Sequence, residues 1–139
     1  MDQKKKLVAE VNNVGITVDL WTNKVNSKSY VGITSHYLDR KCNTLNRIDL
    51  GIVPIFDKKT HTNIKSIVMN ELDLIYEKET NFIFTTDNGT NVCKAFADYS
   101  HIRCAAHNIN IILKTAFKNT LSSSEKKIMM TNLTVIEKY

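Results

Sequence analysis

From Val14 to Leu20 apolar and polar residues alternate, with Val14, Ile16, Val18 and Leu20 on one side. A period of two with β-branched residues predicts a strand over Gly15 to Thr22. Ser29 to Asp39 repeats the character through Tyr30, Ile33, Tyr37 and Leu38, and Asn23 to Ser27 between them supplies a turn, so the two strands are expected as an antiparallel hairpin. A third strand is expected over Asn43 to Ile52, after which Pro54 and the polar run Asp57-Lys58-Lys59-Thr60 break the sheet pattern. Ile64, Ile67, Val68, Leu72 and Ile75 then recur every three or four residues, the signature of an amphipathic helix, with Thr60 or Thr62 as its N-cap.

Phe82 to Thr86 is a short apolar run, which suits a strand buried on both faces, and Asp87-Asn88-Gly89 has turn chemistry. A short helix with Val92, Phe96 and Tyr99 on one side should follow, then a brief extended piece over His101 to Cys104. From Ala105 a further helix carries Ala105, Ile109, Ile112, Leu113, Ala116 and Phe117 as its expected core stripe. His107 lies about 160° from Ile109 around that helix and so points off the stripe. Ser122 and Glu125 have capping-box spacing ahead of a last helix with Met129, Leu133 and Ile136. Three strands followed by alternating helix and strand imply an α/β fold, a mixed sheet flanked by helices.

Composition narrows the class. The 139 residues, 42% of them hydrophobic, suit one compact domain, and a single proline with four glycines argues against disorder. No apolar run approaches the ~20 residues that cross a bilayer, so no membrane role is expected. Met1 to Lys6 is polar and basic with no apolar signal region behind it. Cys42, Cys93 and Cys104 form an odd set without paired spacing, which fits a reducing compartment better than a disulfide framework. A net charge of +5 permits a polyanionic partner, although the lysines are scattered in pairs and triplets.

Two acids stand out. Asp19 comes near the end of the first strand and Asp87 just past the buried one. Neighbouring parallel strands would bring both carboxylates to one sheet edge, where open α/β sheets bind ligands. Paired carboxylates repel unless a cation intervenes, and hard oxygen ligands suit Mg²⁺ or Mn²⁺. The plainer alternative is that Asp87-Asn88-Gly89 is only a turn and Asp19 only a capping or pairing residue. Cys93, His101, Cys104 and His107 are right in number for tetrahedral zinc, but Cys104-x-x-His107 is only half of such a site.

Asp19-Leu20-Trp21-Thr22, then Thr86-Asp87-Asn88-Gly89-Thr90-Asn91, then Arg103-Cys104-Ala105-Ala106-His107-Asn108-Ile109-Asn110 resemble, in order and spacing, three motifs of the hAT-family DNA transposases. His61-Thr62 and the strand around Tyr30 to Asp39 extend the resemblance, which covers roughly residues 14 to 118. It implies a ribonuclease H-like fold, here truncated, with DNA as partner and the nucleus as location. Asp19 and Asp87 match the first two acids of the family's Asp-Asp-Glu set for Mg²⁺ or Mn²⁺. Cys104 and His107 match its Cys-x-x-His motif, whose histidine lies near the reacting DNA.

Each of these residues also has a plainer role. His107 can be a surface or interfacial histidine, Cys104 a small packing residue, and Trp21 a core or rim aromatic as readily as a DNA contact. Asn88 supports the second motif. The expected division is a basic extension over 1–13, a partial ribonuclease H-like domain over 14–120, and the start of a helical insertion over 121–139. The family's glutamate lies downstream of that insertion, and neither Glu125 nor Glu137 sits in a matching motif. The family's zinc-finger BED domain and C-terminal oligomerisation segment also have no counterpart here. Strand cleavage and transfer is thus the implied chemistry, with no nicking expected from this chain alone. The rival is a transposon-derived nuclear domain that binds DNA or protein without catalysis.

Overall fold

The computed structural model describes residues 11–76 and 79–118. Strands β1 (Asn13–Thr22), β2 (Ser29–Asp39) and β3 (Thr44–Ile55) come first, then helix α1 (His61–Asp73) and β4 (Asn81–Thr86). Helix α2 (Thr90–Ala95), β5 (Ser100–Arg103) and α3 (Ala105–Lys118) complete the order. The chain divides into two compact units, one ending at Arg103 and the other beginning at Cys104. The expected last helix after Ser122 lies outside the described residues.

The first unit is a five-stranded mixed sheet in the order β3-β2-β1-β4-β5. β1 pairs antiparallel with β2, and β2 with β3, as the hairpin turns require. β4 joins β1 in parallel, and β5 joins β4 in parallel, because helices rather than tight turns make those connections. Val14, Ile16 and Val18 of β1 are buried beside Val31 and Ile33 of β2 and Phe82 and Phe84 of β4. The period-two pattern thus turns one face of the sheet into the core. Ile64, Val68 and Leu72 of α1 and Val92, Ala95 and Phe96 at α2 belong to the same buried cluster. Phe84 stacks on Phe96 at 4.1 Å between ring centroids and meets Tyr99 edge-on at 5.1 Å. Tyr76 is buried against Phe82, and that burial pushes its phenol above the usual tyrosine range.

Thr60 caps α1, its hydroxyl accepting from the Asn63 N–H at 3.3 Å.

Three expectations need correction. β3 runs through Pro54 to Ile55, paired with β2 throughout. It is an edge strand, so the missing N–H of proline removes no ladder hydrogen bond that the sheet needs. A bulge opposite Ile33 and Thr34 adds a residue to β3 next to Gly51, whose φ of +142° suits glycine alone. β4 is not buried on both faces: Phe82, Phe84 and Thr86 are buried, while Ile83 and Thr85 are half-buried. In the second unit, the expected core stripe of α3 is largely outward. Ile109, Ile112 and Phe117 are 57%, 64% and 38% exposed, whereas His107 and Asn110 are half-buried. Periodicity identifies a helix and its apolar side, but not which side a neighbour covers.

Candidate acid site at the sheet edge

The last register pair between β1 and β4 is Val18 beside Thr86. The next residue on each strand is an acid, Asp19 on β1 and Asp87 just past β4. Parallel pairing therefore carries the two acids side by side to the carboxyl ends of adjacent strands, whose backbones lie about 4.8 Å apart. Asp19 is exposed and out of phase with the buried Val18, so it projects from the less covered face of the sheet.

Asp87 sits in a tightly held turn. Its Oδ1 accepts from the Gly89 N–H at 2.8 Å, and a Cβ on Gly89 would approach that oxygen to 3.0 Å. Glycine lets the carboxylate fold back onto the backbone. The Asp87 carbonyl accepts from the Thr86 hydroxyl at 2.9 Å and from the Cys93 thiol at 3.4 Å. With its one proton on that carbonyl, Thr86 Oγ1 must accept from His101 Nε2, 2.8 Å away on β5. Thr86, backed by His101, and separately Cys93 thus fix the main chain at Asp87. Thr86 is 1% exposed, so this small network is shielded from competing water.

Trp21, two residues after Asp19, is 37% exposed and stacks on Tyr30 with centroids 5.7 Å apart. Gly32 makes room for it, since a Cβ there would stand 3.1 Å from the indole. Asn88 is half-buried in the turn. Cys104 and His107, both half-buried, belong to the second unit, where the Asn108 N–H bonds the Cys104 carbonyl in the first turn of α3. Cys93 and His101, members of the alternative zinc set, both support the end of β4.

A hard divalent ion suits the donor chemistry of the Asp19 and Asp87 pair, which supplies oxygen ligands from two adjacent backbones. Among the described residues no three His, Cys, Asp or Glu side chains gather as a metal site. No described helix is long and apolar enough to cross a membrane.

Sequence reasoning missed Thr86, His101, Cys93 and Lys59 as supports of this edge. Lys59 Nζ donates to Thr22 Oγ1 at 2.6 Å, and its carbonyl accepts from Asn91 Nδ2 at 2.7 Å. The position of Asn91, four residues after Asp87, was the available signal.

The architecture defines an α/β protein with a pair of acids at the carboxyl edge of a mixed sheet. No family model matches the chain. It is similar to the Transposable element Hobo transposase of Drosophila melanogaster, 28% identical over 126 residues. That alignment covers 89% of this chain and 19% of the relative, so the chain spans about a fifth of that protein. The similarity supports a transposase-related chain.

Proposed function

We propose that this stretch is the leading part of a ribonuclease H-like catalytic domain of the hAT transposase type, acting on DNA in the nucleus. The observation that carries the reading is the shared position of Asp19 and Asp87, each one residue past the Val18–Thr86 pair. The ordered motifs around them and the likeness to the Hobo transposase support it.

Asp19 and Asp87 would hold Mg²⁺ or Mn²⁺. Such ions supply activation of an attacking water and stabilisation of the departing oxygen in phosphodiester cleavage. This chain's own contribution is placement. The Gly89 N–H orients the Asp87 carboxylate, and Thr86, His101 and Cys93 hold its main chain. Phosphoryl transfer depends mainly on positioning and electrostatics, so a rigid mount for the carboxylate matters. Among the described residues no third His, Cys, Asp or Glu joins Asp19 and Asp87; by the resemblance, His107 of the second unit would hydrogen-bond a phosphate.

Mn²⁺ titration by calorimetry tests the reading. The purified chain should bind Mn²⁺, and Asp19→Asn or Asp87→Asn should each weaken binding at least tenfold while the circular dichroism spectrum stays unchanged. Binding indifferent to both substitutions would refute the acid site. With two acids only, the chain should show no Mg²⁺-dependent nicking of plasmid DNA; robust nicking abolished by Asp19→Ala would overturn that part.

A further inference from the structure

Lysines that look scattered in the sequence are collected by the fold. The β1–β2 turn brings Lys24 and Lys28 to the carboxyl end of β1, with the Asn23 N–H bonded to the Lys28 carbonyl at 2.8 Å. The segment ahead of α1 brings Lys58 and Lys59 to the same end, since Lys59 Nζ lies 2.6 Å from Thr22 Oγ1. Thr22 in turn contacts Ser29 Oγ at 3.2 Å, closing the turn. All four lysines are exposed, and the only carboxylate within these two segments is Asp57. Arg47 and Lys65 elsewhere on the unit are paired with Asp49 and Asp98, whereas the Lys59 ammonium donates to the Thr22 hydroxyl.

Phe56 directly follows β3, whose last residue Ile55 pairs with Ser29 beside this rim, and is 87% exposed. A bare aromatic ring among lysines is the combination that holds single-stranded nucleic acid. The cations track the backbone and the ring stacks an unpaired base. Lys59 is held at both ends, through its carbonyl by Asn91 and through its ammonium by Thr22, so less freedom is lost when it meets a phosphate. Thr22 is three residues beyond Asp19, about 10 Å along the strand, which puts this rim next to the acids rather than on them.

We infer that Lys24, Lys28, Lys58, Lys59 and Phe56 form a binding track for a single-stranded stretch of DNA leading to the Asp19 and Asp87 edge. The inference deepens the DNA-cleavage reading and rests on it for the role of the edge.

Anisotropy of a labelled oligothymidine of about fifteen nucleotides, titrated with the purified chain over a salt series, tests it. Lys59→Gln should reduce the slope of log affinity against log salt by about 0.7, and Lys59→Arg should keep it. Phe56→Ala should weaken binding about tenfold and leave the slope unchanged. Arg40→Gln, in the β2–β3 turn at the opposite end of the sheet, should change neither. Wild-type binding with no response to Lys59→Gln and Phe56→Ala overturns the track alone. An equal loss on Arg40→Gln does the same. A wild-type chain that binds no oligothymidine even at low salt overturns the track, while Mn²⁺ binding by the acid pair is scored separately.

Discussion

Gly32 and Trp21 show how much one missing Cβ decides. The indole lies across Gly32 and stacks on Tyr30, so Gly32→Ala forces the ring outward from a 3.1 Å approach. Cross-strand aromatic pairs contribute roughly 0.2–1 kcal/mol, and the variant should lose about that much stability. Trp21 is the chain's single tryptophan, so its fluorescence reports the change without interference. Emission should shift to the red in Gly32→Ala; an unchanged spectrum would mean the ring does not rest there. Gly89 plays a comparable part beneath the Asp87 carboxylate, where the side chain folds back to within hydrogen-bond distance of the glycine nitrogen. The plain reading of Asp87-Asn88-Gly89 as a turn holds, and that turn also fixes the orientation of the Asp87 carboxylate.

Elements carry their own start and stop signals, and α1 is the clearest case. Thr60 has the extended backbone of a cap and satisfies the Asn63 N–H. Thr60→Ala should lower stability by about 1 kcal/mol, measured as a shifted urea midpoint with unchanged slope. Little change would mean that Thr62, whose hydroxyl stands 3.1 Å from that of Thr60, takes over. β3 shows the limit of such signals. Pro54 reads as a breaker because proline has no N–H, yet on an edge strand that deficiency faces outward. Edge or centre is a property of the sheet, and no local pattern encodes it. The stripe of α3 fails for a related reason, since its apolar side was identified correctly as apolar but is the exposed side.

For the first unit as a whole, strand order sets the hierarchy of stability. β2, β1 and β4 are paired on both sides, whereas among the described residues β3 and β5 are each paired on one side. Amide exchange should be slowest in β1 around Ile16 and Val18 and in β4 around Phe84, where pairing and burial coincide. The outward amides of β3, above all near the bulge at Gly51, should exchange much faster. Uniform protection across the five strands would contradict the order. The acid pair sits at the end of β1 and β4, both paired on two sides, which suits the proposed site because its two acids would have to keep a fixed separation.

By itself the sequence marked the strand segments, a threonine cap for α1 at Thr60 or Thr62, and the two acids as candidates, because period, capping chemistry and motif spacing act over a few residues. It also carried the resemblance that the Hobo likeness supports. Only the tertiary structure decided that Val18 pairs with Thr86, that Thr86, His101 and Cys93 converge on Asp87, and that four lysines meet at one rim. Those facts depend on which strands become neighbours, and neighbours are chosen by burying one apolar face across residues far apart in the chain, Val14 beside Phe82 and Ile16 beside Phe84 among them.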